Sequence, residues 1–229
     1  MPKQATTRRK ITGKSAAAKP VPAGQGAAKP SARDKLLAAA VQVVRQKGYA
    51  ATSVDDLCKA AGVTKGAFFH HFASKEDLAV AAAQYWNDFA TGFFASAAYH
   101  AHKDPLDRVL GYVDFRREIL QGKIEEFTCL VGTMVQEAYD SSPRIRQACD
   151  ASISNHAAVL AQDIAAAKKL HAPQASFDPE ELALFTQVVV QGAFIMAKAK
   201  NGPQAADAGI LHLKRYIELL FGKTTPQTR

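Results

Sequence analysis

Apolar residues along most of the chain recur every three or four positions, which is the spacing of an α-helix and not the alternation of a strand. The first such stripe holds Leu36, Leu37, Val41 and Val44, and it stops at Gly48, a residue suited to end a helix. No segment keeps the alternation of a half-buried strand. The pattern therefore predicts an all-α protein of about nine helices.

Short polar residues that can cap a helix mark the next helix starts. Thr52 or Ser53 begins a short second helix that ends at Gly62, and Thr64 begins a short third helix. Ser74 begins a fourth, which is predicted to run to about residue 98. Later helices, several of them marked by a proline after Asp or Ser, are predicted at about 105–121, 124–140, 143–171, 178–200 and 204–221.

The last two predicted helices carry more apolar surface than one face can use. Residues 181–199 are apolar nearly all the way round, and the helix at 204–221 has two apolar stripes. We therefore expect helices 178–200 and 204–221 to pair with their copies in the four-helix bundle of a homodimer, with Gly192 allowing close approach. The alternative is a large monomeric core that uses both stripes internally.

Positive charge is concentrated at the N-terminus. The 229-residue chain has a net charge of +8, and residues 31–229 hold 22 basic and 21 acidic groups, so nearly all of the excess lies in residues 1–30. This tail is rich in Ala, Pro, Gly, Lys and Thr, and its composition predicts disorder. It is either an arm that binds phosphates or a solubilising extension. The basic residues of the tail are Lys3, Arg8, Arg9, Lys10, Lys14, Lys19 and Lys29.

Membrane, metal and disulfide chemistry are not expected. No apolar run approaches the ~18 residues of a membrane span, and the basic N-terminus lacks the apolar segment of a signal peptide, so a cytoplasmic protein without a membrane partner is predicted. Cys58, Cys129 and Cys149 are far apart and match no metal-ligand spacing, which predicts neither a zinc module nor a disulfide framework. We interpret them as reduced packing thiols, with a redox or electrophile sensor as the alternative for one of them, and we expect no cofactor.

The stretch GVTKGAFFHHF, residues 62–72, follows the short second helix. A short helix, a turn at Gly62 and another short helix that starts at a hydroxyl residue fit a helix-turn-helix. Phe68 and Phe72 are four residues apart and share a face, so we expect them to anchor the core. The two adjacent histidines point about 100° apart, which disfavours a metal site. Aromatic residues that stack on single-stranded nucleic acid are usually displayed on a sheet or groove, which the sequence does not predict. The first turn, residues 64–67, is what such a motif directs at base edges and phosphates.

The run from Arg33 through Trp86, and above all TSVDDLCKAAGVTKGAFFHHFASKEDL, resembles the N-terminal domain of TetR-type (AcrR-like) transcriptional regulators. The shared motif is a Thr-rich helix start, Ala-Gly-Val-Ser/Thr-x-Gly, an aromatic-x-His-Phe cluster and Ser-Lys-Glu. LALFTQVVVQGAFIMAKA shows a weaker likeness to effector-binding regulators. The expected organisation is a disordered basic tail (1–30), a three-helix DNA-binding domain (31–91), a helical effector-binding and dimerisation domain (92–222) and a flexible tail (223–229).

The resemblance implies a set of DNA-contacting residues by position. The two hydroxyl residues at helix starts contact the DNA backbone, Lys65 and His70 read bases, and His71 and Lys75 hold phosphates. A plain solvated lysine is the alternative for Lys75. Family members commonly carry tyrosine at position 69, and Phe69 cannot make the phosphate hydrogen bond of that hydroxyl. The full expected set is Ser53, Thr64, Lys65, Gly66, Ala67, Phe69, His70, His71 and Lys75.

The resemblance also implies a mechanism. A dimeric repressor would bind a near-palindromic double-stranded operator, and a small-molecule effector in the C-terminal domain would favour a spacing of the recognition helices that no longer fits. The coupling would run through the fourth helix. Two alternatives remain: a helical DNA-binding protein without an effector, acting architecturally, and an enzyme on a helical bundle. The second lacks a convergent nucleophile, base and orienting group, so no enzyme is expected.

Effector-binding residues are predicted from polar groups on an otherwise inward helix face and from the aromatic residues that could share that space. A satisfied core histidine and an ordinary aromatic core are the alternatives. The candidates are Phe89, Phe93, Tyr112, Phe127, Met134, Asn155, His156 and Phe185.

Overall fold

The computed structural model describes residues 29–223, which form α-helices and one 3₁₀ turn and, within that range, no strand. The all-α prediction is confirmed. The predicted basic tail (1–30) and flexible tail (223–229) lie outside the described residues, except for residues 29, 30 and 223. The α-helices are α1 (Ala32–Lys47), α2 (Val54–Ala61), α3 (Lys65–His71), α4 (Lys75–Ala95), α5 (Pro105–Glu118), α6 (Ile124–Phe127), α7 (Leu130–Ala138), α8 (Pro143–His171), α9 (Pro179–Ala199) and α10 (Gln204–Leu220).

Local capping chemistry sets most of the helix starts, as the sequence predicted. The Ser53 hydroxyl accepts from the backbone N–H of Asp56 at 3.1 Å, and the Asp56 carboxylate accepts from the backbone N–H of Ser53 at 2.9 Å, which completes a capping box at α2. Gly62 ends α2 in the left-handed region, with φ 65° and ψ 39°. The Thr64 hydroxyl then caps α3 by accepting from the backbone N–H of Ala67 at 3.2 Å. The predicted helix-turn-helix is therefore present.

Two predicted helices differ from the structure. The helix expected at 124–140 is broken into α6 and α7, because Thr128 and Cys129 have extended backbones, with ψ of 162° and 130°. Neither residue is a glycine or proline, so periodicity alone gave no sign of the break. The fourth helix ends at Ala95 rather than near 98, and a 3₁₀ turn (Ala98–Ala101) follows it.

Buried apolar side chains form two clusters. One lies among α4, α5, α8, α9 and α10 and includes Leu106 and Ile210. The other joins α1 to α4 with α7 and the first part of α8, and it contains Phe68 together with Met134 and Ile145. Phe68 is fully buried and Phe72 nearly so, which confirms that these rings anchor the core. The DNA-binding helices therefore share their core with α7 and α8.

Helix α9 packs against α8 and α10 but leaves an apolar face uncovered. By length and composition alone, α9 is also the described helix that could cross a membrane, which corrects the expectation that no apolar run is long enough. One such helix is weak evidence for a membrane span, because a core helix of a soluble protein has the same composition.

Candidate DNA-binding surface and ligand cavity

Helix α3 packs by one face and presents the others to solvent. Phe68 and Phe72 hold the inner face, and Val63 in the preceding turn packs against the same cluster. The Phe69 ring is 57% exposed and contacts Phe68 edge-on, with 5.1 Å between ring centroids. His70 is also exposed, whereas the neighbouring histidine is half-buried. The sequence-based division of α3 into anchoring and outward residues matches this geometry.

The first turn of α3 is open. A Cβ atom built on Gly66 would meet only the Thr64 hydroxyl oxygen, at 3.8 Å. Packing within the chain therefore does not require glycine at this position. A glycine here allows another molecule to approach the backbone of the helix N-terminus, where free N–H groups and the helix dipole favour phosphate.

Two of the predicted DNA-contacting residues already bind acidic side chains of the same chain, one through an ion pair and the other through a hydrogen bond. The Lys65 amino group lies 2.8 Å from a carboxylate oxygen of Asp55, both side chains are exposed, and the hydrogen bond to Asp55 raises the pKa of Lys65. The Ser53 hydroxyl donates to the Asp56 carboxylate at 2.6 Å. A base contact from Lys65 would exchange the Asp55 partner for an acceptor on DNA. A phosphate contact from Ser53 would turn its single O–H donor away from Asp56.

Lys75 points into the protein. Its amino group donates to the carbonyl oxygens of Tyr49 at 3.1 Å and Thr52 at 2.9 Å, and it lies 4.3 Å from the centroid of the Tyr49 ring. Partial burial lowers the pKa of Lys75. The alternative of a plain solvated lysine is therefore wrong. Lys75 fixes the loop between α1 and α2, and only one of its three N–H groups remains for a phosphate.

A cavity of about 100 Å³, open on one side, lies between the end of α1 and the helices of the C-terminal half. Aromatic rings and a few polar groups form its walls, which is the usual character of a small-molecule site. The lining residues are Arg45, Trp86, Phe89, Ala90, Phe93, Phe94, Arg116, Ile119, Glu126, Phe127, Cys129, Val131, Ser152, Ile153, His156, Gln187, Gln191 and Phe194.

The structure brings five of the eight predicted effector residues to this region. Phe89, Phe93, Phe127 and His156 line the cavity, and Tyr112 hydrogen-bonds to His156 from behind the wall. The four-residue spacing of Phe89 and Phe93 along α4 correctly predicted them as neighbours, since their rings stack with centroids 5.8 Å apart.

The other three predicted residues lie elsewhere, which corrects the sequence-based set. Met134 is fully buried in the cluster shared with α1 to α3. Asn155 is exposed on the outer side of α8. Phe185 is 40% exposed on α9 and contacts Tyr216 of α10, with 5.4 Å between ring centroids. Helical periodicity shows which residues share a face, but it does not show what that face meets.

A hydrogen-bond network backs one wall of the cavity. Nε2 of His156 lies 3.0 Å from the Tyr112 hydroxyl and 2.8 Å from Nη2 of Arg116. The same hydroxyl accepts from Nε of Arg116 at 2.9 Å and from Gln187 at 3.0 Å. Burial, aided by the charge of Arg116, lowers the pKa of His156 to about 3, so the imidazole is neutral near pH 7. His156 therefore fits both interpretations: its Nε2 atom is hydrogen-bonded as in a core histidine, and its ring lines the cavity. Sequence reasoning missed Arg116 and Gln187.

Arg45 reaches the same cavity from the DNA-binding half. It lies in the last turn of α1, is only 7% exposed, and its guanidinium carbon sits 4.8 Å from the centroid of the Trp86 ring. Burial lowers the pKa of Arg45 to about 10. Sequence reasoning did not select it, although its position four residues after Val41 on the apolar stripe was a usable signal.

The three thiols differ in their surroundings. Cys58 and Cys149 are buried, and burial raises the pKa of both thiols, that of Cys149 to about 12. Both therefore have the environment of packing residues. Cys129 is half-buried and lines the cavity. Among residues 29–223, no group of three or more His, Cys, Asp or Glu side chains is arranged to hold a metal ion.

Comparisons with known proteins agree with this arrangement. Residues 36–82 match the family described as bacterial regulatory proteins, tetR family, and residues 105–213 match the tetracyclin repressor-like C-terminal domain. The HTH-type transcriptional repressor NemR of Escherichia coli (strain K12) is 27% identical over 196 residues, covering 81% of this chain and 93% of NemR. The transcriptional regulator AcuR of Cereibacter sphaeroides is 27% identical over 172 residues, covering 75% of this chain and 78% of AcuR.

Solved structures show the same likeness. The reduced form of E. coli NemR superposes with a TM-score of 0.69 at 25% identity, covering 81% of this chain and 96% of that one. A regulatory protein TetR from Rhodobacter sphaeroides superposes with a TM-score of 0.73 at 25% identity, covering 81% of this chain and 98% of that one. With a helix-turn-helix in the first half and a matching C-terminal domain behind it, this chain belongs to the TetR family of transcriptional regulators, which are DNA-binding proteins and not enzymes.

Proposed function

We propose that the protein is a cytoplasmic repressor that binds a near-palindromic operator as a homodimer and leaves it when a small molecule occupies the cavity. The observation that carries this proposal is the position of the cavity, which has one wall on the last turn of α1 and therefore contacts the DNA-binding half directly. A ligand there can favour one arrangement of the two halves over another.

The open first turn of α3 supports operator binding. Gly66 leaves room for the DNA backbone, and Lys65 next to it can exchange its carboxylate partner for a base or phosphate. Phe69 offers an exposed ring where a hydroxyl is common in the family, so in this chain the position contributes apolar contact with sugar and no phosphate hydrogen bond. We also propose base contact by His70, backbone contact by His71 and the helix-start hydroxyls, and close packing of Ala67.

The uncovered apolar face of α9 and α10 supports a homodimer. Val188 of α9 is 62% exposed and Leu219 of α10 is 68% exposed, although both are large apolar residues. A Cβ atom added to Gly192 would meet nothing within 4 Å in this chain, so the face can accept a closely packed helix. A second copy fits because two helices on each subunit would form a four-helix bundle around a two-fold axis. The exposed apolar residues on this face are Leu184, Phe185, Val188, Ile195, Met196, Tyr216 and Leu219.

Selection of bound sequences from a pool of random double-stranded DNA tests the proposal. We expect an enriched near-palindrome whose half-sites lie about one helical turn, ~10 base pairs, apart or a multiple of it. Lys65→Ala should flatten the base preference at one position in each half-site while the remaining positions keep theirs.

Two outcomes would contradict the proposal. A single unpaired half-site would argue against a dimer on the operator. Binding without any sequence preference would favour the alternative, an architectural DNA-binding protein. Loss of operator binding on addition of a small molecule is the further expectation that separates a regulated repressor from that alternative.

A further inference from the structure

Within residues 29–223, the Nε donor of the buried Arg45 side chain has no hydrogen-bond partner. Its Nε atom is inaccessible to solvent and makes no hydrogen bond, and the residues of the described range supply no carboxylate within ion-pair distance. The ring of Trp86 is its close neighbour. A buried arginine that is neither paired nor hydrogen-bonded is costly, and buried charges in proteins are normally matched by an anion or a set of acceptors.

A second arginine in the same wall is also without a counter-ion. Arg116 bonds to the neutral side chains of Tyr112 and His156 and lies 4.3 Å from the centroid of the Phe94 ring. In the part of the chain that the structure describes, it forms no ion pair. The cavity therefore has two cationic side chains that form no ion pair among the described residues.

Acidic residues near the cavity do not fill this role. Glu126 lines the cavity, but its carboxylate accepts the backbone N–H of Lys123 at 2.9 Å and acts as a helix cap. Glu125 and Glu126 influence Arg45 only through space. The cavity thus combines an apolar, mostly aromatic wall with unpaired positive charge.

We propose that the effector is a small organic acid whose carboxylate binds Arg45 while its apolar body lies against Trp86, Phe89 and Phe93. This inference rests on the proposed function, since it specifies the class of molecule that releases the DNA. A carboxylate matches the planar, two-pronged donor set of a guanidinium, and Arg45 has no carboxylate partner among the described residues. Arg116 lines the same cavity, and its charge favours the same anion.

The location of Arg45 also specifies how binding reaches the DNA surface. Arg45 lies three residues before Gly48, in the last turn of α1, and the loop that follows is held on both sides. Glu137 of α7 accepts the backbone N–H of Ala50 at 2.7 Å, and Lys75 of α4 donates to the Tyr49 carbonyl. A ligand that pulls on Arg45 therefore acts on α1 and on the loop leading to the helix-turn-helix, in addition to the route through α4.

Fluorescence of Trp86, the only tryptophan in the chain, measures this binding without DNA. Benzoate, 3-phenylpropanoate and octanoate are titrated into the purified full-length protein, each beside its primary amide. We expect at least one acid to change the Trp86 emission and to bind roughly ten- to hundredfold more tightly than its amide, because a charged hydrogen bond is replaced by a neutral one.

Variants at position 45 show whether this arginine is responsible. Arg45→Met keeps the volume and removes the charge, so it should bind acid and amide about equally, whereas Arg45→Lys should retain part of the preference for the acid. Arg33→Met is the matched control, because Arg33 also lies on α1 over an aromatic ring but is exposed and remote from the cavity. It should behave as the wild type.

The outcomes separate this inference from the proposed function. Equal binding of every acid and its amide, binding of none of the acids, or an unchanged acid preference in Arg45→Met would overturn the acid effector, even if the protein binds a palindromic operator. An Arg45-dependent preference for the acid without any operator binding would support the ligand site and count against the repressor.

Discussion

Alanine at position 66 should make the protein more stable and a weaker DNA binder. Gly66 lies in the first turn of α3, and an added Cβ would find its nearest neighbour, the Thr64 hydroxyl oxygen, at an ordinary contact distance of 3.8 Å. Nothing in the chain has to move. Alanine loses less backbone entropy than glycine in a helix, so the free energy of unfolding should rise by about 0.5–1 kcal/mol.

The expected effect on DNA binding has the opposite sign. If the DNA backbone approaches this turn closely, the added methyl group occupies that space and lengthens the contact with the helix N-terminus. We expect operator affinity to fall at least ~10-fold, which corresponds to ~1.4 kcal/mol. Chemical denaturation measures the first effect, and fluorescence anisotropy with a labelled operator, at fixed salt concentration, measures the second.

Gly92→Ala provides the matched control. Gly92 lies in α4, is exposed, and an added Cβ there meets nothing within 4 Å. It should gain a similar amount of stability and leave operator affinity unchanged. Unchanged affinity in Gly66→Ala, together with the expected gain in stability, would refute the inference that DNA approaches the backbone at the start of α3.

Three further predictions concern other parts of the structure. Burial holds the pKa of His156 near 3, below its ordinary ~6.5, so the unfolded state takes up a proton first as the pH falls. The contribution of His156 to stability should be full above pH ~6.5 and should fall by up to ~1.4 kcal/mol per pH unit toward pH ~3. His156→Gln should reduce this loss, which denaturation at about pH 7 and pH 5 measures. Gly192→Leu should give a folded monomer by light scattering and circular dichroism; an unchanged dimer would exclude that interface. Lys75→Met should lower the free energy of unfolding by about 1–3 kcal/mol and weaken binding to all DNA sequences, whereas Lys65→Ala should mainly relax sequence preference. An equal loss of sequence preference in both variants would contradict their different roles.

Features that depend on neighbours in the sequence could be predicted, and those that depend on distant contacts could not. The capping box of Ser53 and Asp56 and the left-handed Gly62 are local, so the helix-turn-helix was predicted at nearly the right residues. The break at Thr128 and Cys129 was not predicted, because both residues tolerate a helix; Thr128 is buried and Cys129 packs against both apolar clusters, which are contacts with distant parts of the chain.

The candidate site divides in the same way. Four-residue spacing placed Phe89 and Phe93 together, and both line the cavity. Phe185 was misplaced because α9 is apolar on nearly every side, so the sequence could not show which face is inward. Arg45 was overlooked because a basic residue in the last turn of a helix is commonly solvated and favoured by the helix dipole. Helix α1, which carries Arg45, packs against α6 and α7, and the sequence pattern had predicted a single helix in place of these two.

The cluster that joins α1 to α4 with α7 and α8 limits how this protein can be recombined with its relatives. An exchange of DNA-binding halves at residue 91, the boundary that the sequence predicted, would place a foreign α1 to α3 and most of a foreign α4 against residues of the retained half such as Met134, Ile145 and Cys149. Such a chimera would begin with a mismatched core, and its operator preference could be transferred only if the contact positions of α7 and α8 were exchanged with it.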